Sequence, residues 1–371
     1  MRICNACRYC QGFCAVFPAM ELRRTFSEQD LKYLANLCHD CRGCYYACQY
    51  APPHEFALNL PKALGDLRLE TYRQFSGPPA LKNLFDHSFR TAAMIALLGV
   101  FLITLLVWLL QDQAVFFGSH LGAGAFYRVI PYWMMVVPFS ALGIFALYRL
   151  GKRTAVFYRG TGGNSKDLLN PRANLQTIGD VLRMKYLDGG GYGCNYPDER
   201  FTMIRRYFHQ AVFYGFLLCL AATTMAFFYH HFFNRPAPYP FWSWPVALGT
   251  LGGLAILVGT AGLIFLKTKM DQAPASKGAY GLDIGFSVLL FLTSFTGLGL
   301  LLFRSTPAMG ILLALHLGLV AGLFITMPYG KFVHAVYRYA ALVRHTVEQS
   351  GKKDKSGELP VSGERIFMKS P

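Results

Sequence analysis

Six stretches of the chain are almost free of charge: Ala92 to Leu110, Ile130 to Leu150, Phe208 to Tyr229, Pro245 to Leu266, Ile284 to Leu302 and Met309 to Pro328. Each approaches the ~20 residues a helix needs to cross a hydrocarbon core, where only a helix or a closed barrel satisfies its own backbone. The pattern predicts a six-span helical bundle over residues 86–345, with a long polar loop at 151–206 and a polar tail at 346–371. The first 85 residues follow another rule. EQDLKYLANLC places Leu31, Leu34, Ala35 and Cys38 on one helical face, without the alternation of a strand. The expected fold class is therefore all-α, a small helical domain at 1–85 followed by the bundle.

Six spans return the chain to the side from which it set out. Of the 36 Lys and Arg, only Arg128, Arg235 and Arg304 fall on the opposite side, so the charge bias of the connecting segments places both termini and the 151–206 loop in the cytoplasm. The same bias explains the net charge of +16. Basic residues flank membrane segments here and attract anionic lipid; they do not form a nucleic-acid patch.

Eight of the 10 cysteines occupy two short runs. Cys4, Cys7, Cys10 and Cys14 follow C-x2-C-x2-C-x3-C, and Cys38, Cys41, Cys44 and Cys48 repeat it. Arg8 and Arg42, and Pro18 and Pro52, share the same offset of 34 residues, so the segment is an internal duplication. Disulfides fit poorly, because the first run stands where the charged and apolar regions of a cleavable leader would be. Structural zinc prefers paired C-x2-C knuckles. The C-x2-C-x2-C-x3-C run is the pattern that binds [4Fe–4S] clusters. In two-cluster ferredoxins the fourth cysteine serves the other cluster, which groups Cys4, Cys7, Cys10 and Cys48 on one and Cys38, Cys41, Cys44 and Cys14 on the other. The proline that usually follows the last cysteine is displaced: Ala15 and Gln49 stand there.

Histidines on the third and sixth spans are the next chemistry-bearing group, since ionisable residues within membrane helices are costly. His209 lies at the inner edge of the third span, and His230 and His231 at its far end. His316 and His334 are 18 residues apart, on one face if the helix continues past Pro328. The two spans run in opposite directions, so His209 meets His334 in depth and His230, with His231 as a rival, meets His316. Opposed histidines at matching depth suit b-type haem, at one site or two; capping of helix ends and contact with head groups is the plainer alternative. His39 and His54 are expected in supporting or surface roles, and His87, His120 and His345 as interfacial or solvated residues. Cys219 is expected to pack within the third span and Cys194 to be a free thiol.

Glycines at 249, 252, 253, 259 and 262 allow close helix contact. GGGYGCNYPDE lacks the preceding strand and the G-x-G-x-x-G frame of a nucleotide site, and reads as a tight turn that docks the cluster domain or a partner.

The paired cysteine runs, together with GGGYGCNYPDE, RRYFHQAVFYGF, GTLGG, TGLGLLLFR and MPYGKFVHAVYR, resemble the tricarballylate- or citrate-utilisation protein B family over nearly the whole chain, from Cys4 to about Leu342. The bundle also resembles the cytochrome b subunit of respiratory nitrate reductase. The resemblance implies a bacterial inner-membrane protein that reoxidises the reduced FAD of a separate soluble tricarballylate dehydrogenase. Electrons would pass through two [4Fe–4S] clusters and haem b to the quinone pool. No nucleotide fold is visible in this chain, consistent with a flavin supplied by a partner. Two rival readings are a cluster-based redox sensor joined to a transporter-like bundle, and a structural anchor that recruits a flavoprotein. The first lacks the broken-helix pattern of a midplane substrate site.

Overall fold

The computed structural model describes residues 1–75, 77 and 88–356. His87 lies outside them, so its expected interfacial role has no structural counterpart here. The N-terminal part comprises α1 (Arg2–Cys7), α2 (Val16–Glu21), α3 (Glu28–Leu37), α4 (Gly43–Tyr46) and α5 (Leu60–Phe75). Then come α6 (Ser88–Leu110), the short α7 (Gln113–Phe116) and α8 (Ala125–Val129), α9 (Tyr132–Gly160) and α10 (Pro171–Leu182). Two two-residue strands, β1 (Cys194–Asn195) and β2 (Phe201–Thr202), pair antiparallel with Cys194 opposite Thr202. The chain continues through α11 (Ile204–His231), α12 (Trp244–Lys269), α13 (Tyr280–Phe303), α14 (Met309–Thr326) and α15 (Val333–Ser356).

Among the described residues six helices are long and apolar enough to cross a membrane. These are α6, α9, α11, α12, α13 and the stretch beginning with α14. Their outer faces expose Leu97, Phe101, Leu109, Leu147 and Phe265, each at least 60% accessible, as lipid-facing helices do. All four tryptophans, Trp108, Trp133, Trp242 and Trp244, are exposed beside the α6–α9 and α11–α12 connections, which lie at one end of the bundle. Such amphipathic rings favour a membrane interface.

Small residues set the helix contacts. A Cβ on Gly252 of α12 would lie 2.7 Å from the Gly215 carbonyl of α11, and one on Gly215 would lie 2.8 Å from that of Gly252. The backbones touch there, and Cys219 packs against the same point as expected. Helices α6 and α14 meet similarly at Gly99, Gly318 and Gly322, glycines that the sequence did not single out. Gly249, by contrast, has only an ordinary contact at 3.6 Å.

The last span differs from expectation. Helix α14 stops at Thr326, a 3-10 turn covers Met327–Tyr329, Gly330 is extended, and α15 starts afresh at Val333. Pro328 offers no N–H to a continuing helix and its ring crowds the preceding turn. His316 and His334 therefore stand on two helices, not on one face of one. Helix α15 then runs on through residues 346–356, where a tail was expected.

That helix straps the N-terminal domain. Ala341 and Leu342 of α15 join Val16, Ala19, Met20, Tyr33, Leu34 and Leu37 in one core. Arg23 bonds both Asp30 and Glu348 at 2.6 Å, and Arg344 lies 4.3 Å above the Tyr33 ring. Helix α3 starts with a Ser27–Asp30 capping box and is buried on more than the predicted face because α15 covers its other side.

Replacing Gly318 by leucine drives a side chain into Val100, whose Cα lies only 2.4 Å from where the new Cβ would sit. We expect a loss of about 1–3 kcal/mol or more, measured as a lowered thermal-unfolding midpoint of the full-length protein in detergent. Gly299→Ala, with nothing within 4 Å, serves as the neutral control. Equal midpoints for both variants would refute the packing argument.

Candidate functional site

The duplicated cysteine runs fold alike at one key point. Arg8 ends α1 at φ 56° and Arg42 opens α4 at φ 66°, two non-glycine residues in the left-handed region at equivalent positions. Each turn follows the second cysteine of its run and swings the third back toward the first two. Cys4, Cys7, Cys10 and Cys48, together with Cys44, line one cavity of about 390 Å³. Cys14 joins Cys38, Cys41 and Cys44 around an adjoining, tighter space closed by Phe13, Phe17 and Leu64. The fourth cysteine of each run thus stands among the first three of the other.

The thiols crowd one another. Burial, followed by Cys48, Cys4 and Cys7, pushes the Cys10 thiol up to about 12, and burial, followed by Cys194 and Cys38, does the same to Cys41. Thiolates packed this way need bound cationic charge to coexist. Among the described residues no three His, Cys, Asp or Glu side chains close around one metal ion. The cysteines line spaces instead, which suits a polynuclear centre with thiolates at its corners. All the cysteines are unbridged. The Asp40 N–H points at the Cys38 sulfur at 3.4 Å, and the Gln49 amide at Cys7 at 3.8 Å.

The glycine-rich loop docks against both runs. Gly190, at φ 79°, lies so close to the first run that a Cβ would come within 2.8 Å of the Gly12 carbonyl. The Asn195 N–H donates to the Cys41 carbonyl at 2.9 Å, and the Tyr196 ring carries Arg42 on it at 4.5 Å and Arg205 at 4.9 Å. Arg42, itself 1% exposed, donates to the Asp271 carbonyl at 3.0 Å. The sequence left the docking partner open; in the fold it is the cysteine domain. Cys194 is a buried free thiol whose S–H points at the Leu187 carbonyl at 3.4 Å.

His209 of α11 and His334 of α15 face each other with ring centroids 6.2 Å apart and planes at 83°. Two imidazoles bound to opposite sides of one metal, each at about 2 Å, have centroids about 6 Å apart. The His334 Nδ1 lies 2.6 Å from the Lys331 carbonyl, so an Nδ1–H donated there leaves Nε2 as a free base. The Nδ1 of His209 is buried without a partner. A cavity of about 420 Å³ lies against both rings and extends to His39, Asp40 and Arg42 in the second cysteine loop.

The other histidines divide differently from expectation. His316 is fixed through Nδ1 to the Thr293 carbonyl at 3.1 Å and to the Thr296 hydroxyl at 3.2 Å, again leaving Nε2 free. His230 stacks on Tyr132 at 3.8 Å, and His231 hydrogen-bonds the Tyr132 hydroxyl at 2.7 Å. Among the described residues no ring contact joins His316 to either of them. His345 is buried at 6% exposure, not solvated as expected, because the 186 region packs its Tyr186 ring against it. His39 is held by the Leu37 carbonyl at 2.8 Å and lines the cavity; burial, then Arg338, keeps its imidazole well below the ordinary range. His120 rests on the Val115 carbonyl, and His54 among Tyr50 and Phe56.

A family model described as citrate utilization protein B matches residues 86–355, and one for the Fer4-like domain of that protein matches residues 1–74. An Escherichia coli protein named Citrate utilization protein B is 46% identical over 353 residues, 94% of this chain and 91% of its own length. The chain belongs to the citrate utilization protein B family. No solved structure matches it significantly, so the likeness of the bundle to a nitrate reductase subunit stays an expectation from sequence. In this family's terms the N-terminal part is an iron–sulfur domain of the ferredoxin kind, which gives the protein an electron-transfer role, and the rest is a multi-pass membrane domain.

Several buried charges of this family member were not singled out from sequence. The Arg205 guanidinium donates to the carbonyls of Asp40 at 2.6 Å and His39 at 3.3 Å, and Arg338 to that of Cys38 at 2.9 Å. Each stands four residues from a histidine of the facing pair, as RRYFH and HAVYR show. Asp283 is held between Lys267 and Lys331, both at 2.6 Å.

Gly190→Val combines a strained left-handed residue with a clash on Gly12. We expect it to detach the loop from the cysteine domain, measured as faster proteolysis between residues 12 and 43 in the purified full-length protein. Gly191→Ala is the control: it shares the left-handed strain but meets nothing within 4 Å. Unchanged proteolysis of the valine variant would show that the loop contact does not hold the domain.

Proposed function

We propose that this protein carries electrons from a soluble flavoprotein dehydrogenase through two [4Fe–4S] clusters and one b-type haem to the membrane quinone pool. In this reading Cys4, Cys7, Cys10 and Cys48 hold one cluster, Cys38, Cys41, Cys44 and Cys14 the other, and His209 and His334 the haem iron. The observation that carries it is the single cavity that reaches from the second cysteine loop to the facing imidazoles. When bound, the clusters and haem supply one-electron carriers of adjustable potential. The chain's own residues do the rest. The 189–197 loop with Arg42 and Tyr196 covers the second cysteine site and keeps water from it, while the amides of Asp40 and Gln49 direct hydrogen bonds at sulfur. The Lys331 carbonyl fixes the tautomer of His334.

Among the described residues only His209 and His334 of the expected pairs bring their rings together, which favours one haem site there. The charge asymmetry of the connecting segments supports a cytoplasmic location for both termini, and the family resemblance supports the bacterial inner membrane and a partner that oxidises tricarballylate. The sensor and anchor readings leave the opposed imidazoles unexplained.

Purified from iron-replete cells, the full-length protein is expected to show a reducible b-type haem spectrum. His209→Ala and His334→Ala should each remove most of it while the protein still inserts in membranes; His316→Ala should leave it nearly intact. Cys41→Ser should block haem reduction by the flavoprotein partner but not by dithionite. A colourless wild-type protein, or haem reduction that survives the cysteine change, would overturn this path.

A further inference from the structure

The cavity beside His209 and His334 contains more positive than negative side chains. Asp283 is taken by Lys267 and Lys331, Asp180 pairs with Lys185 at 3.4 Å, and Asp40 approaches Arg42 at 3.8 Å. Among the described residues this leaves Arg68, Arg205 and Arg338, all on the cavity wall, with no carboxylate partner. Arg68 is only 8% exposed; its Nε donates to the Ala35 carbonyl at 2.8 Å, and its Nη2 is buried without a partner. Arg338 donates through Nη2 to Cys38, and its Nε is likewise buried and unpartnered. These two guanidinium groups are therefore held side by side at the end of α3, where carbonyl capping uses part of each fork and leaves the rest unsatisfied.

Capping of α3 needs one such donor and leaves the unpaired N–H groups unexplained. Like charges buried together without an anion are strongly unfavourable, so the cavity calls for an anionic occupant. Much of its remaining wall is apolar, with Val212, Phe216, Leu263, Leu290 and Phe332 beside a few hydroxyl-bearing side chains such as Thr260 and Ser287. An occupant matched to both parts has a flat apolar body and a carboxylate-bearing edge. A planar guanidinium suits such an edge through paired N–H groups.

We propose that Arg68 and Arg338, with Arg205 beside them, bind the carboxylate groups of the porphyrin held between His209 and His334, orienting its acidic edge toward the second cysteine site. This rests on the haem reading above and adds the orientation of the ligand and the residues that set it.

The test uses full-length protein in membranes from haem-starved cells, titrated with haem or with its dimethyl ester and read at the Soret band. Wild type is expected to bind free haem at least tenfold more tightly than the ester. Arg68→Gln and Arg338→Gln should shrink that difference to about twofold or less, and Arg338→Lys should keep most of it. In spectroelectrochemical titration the pH-dependent region of the haem potential should move to higher pH in Arg68→Gln, because a carboxylate that loses its cation binds a proton sooner. A purely capping role would not move that profile. Equal affinity of wild type for haem and ester overturns the proposal, even if the glutamine variants fail to fold, while leaving His209 and His334 as ligands. A shift confined to the cluster signals overturns it too, assigning the arginines to the cysteine site. A wild type that takes up neither compound sinks the haem reading itself.

Discussion

The guanidinium groups of Arg205 and Arg338 reach from two membrane-domain helices to one short piece of cysteine loop, and the arrangement of the molecule hangs on that contact. Arg205 precedes His209 by four residues on α11, and His334 precedes Arg338 by four on α15. Residues four apart share a helix face. A helix rotation that aims either arginine at residues 38–40 therefore also turns its histidine into the cavity below them. Position of the iron–sulfur domain and alignment of the imidazole pair are set by the same two helix rotations, and neither can shift without the other.

Buried cations make this arrangement exacting. Arg42, Arg68, Arg205 and Arg338 converge near the second cysteine run, and carbonyls of residues 35–40 and 271 take many of their donors. Carbonyl dipoles alone do not neutralise such charge in a low-dielectric setting. Thiolates bound to iron carry net negative charge, and so does any acid in the cavity. In the proposed reading the cofactors would complete these electrostatics, which would tie their retention to the stability of the junction between the two domains.

Much of this was legible in the chain. The cysteine spacing and the six apolar stretches are local patterns imposed by metal geometry and by the bilayer, and both appear where the residues put them. The facing of His209 and His334 also followed from span direction. What failed depended on tertiary partners. His345 was read as interfacial or solvated because it lies beyond the apolar stretches, yet it is buried with the Tyr186 ring against it. The spacing that set His230 at the depth of His316 also gave no sign of the Tyr132 ring stacked on it. The turn at Pro328 was signalled by the proline itself. Its effect, to begin a new helix that returns to strap α3, was not, since Arg23 and Glu348 are 325 residues apart. The Arg-x3-His and His-x3-Arg spacings were readable, and only the cysteine loop beside them gives them meaning.

The duplicated cysteine sites are equal in sequence and unequal in surroundings. The first has half-buried Cys7 and Cys48 in a cavity also lined by Tyr9, itself exposed at 65%. The second has Cys38 and Cys41 at 7% and 6% exposure, under the glycine-rich loop and Arg42. A centre that exchanges electrons with a soluble donor needs an accessible edge, whereas one that hands them into a membrane cavity gains from exclusion of water, which sharpens each nearby charge. Burial of a negatively charged centre lowers its affinity for a further electron, and nearby cations raise it again. Four arginines stand at the second site, so its enclosure and its counter-charge come as a pair. Duplication supplied two similar loops; the loop at 189–197 and the arginines of α5, α11 and α15 are what distinguish the enclosed site from the exposed one.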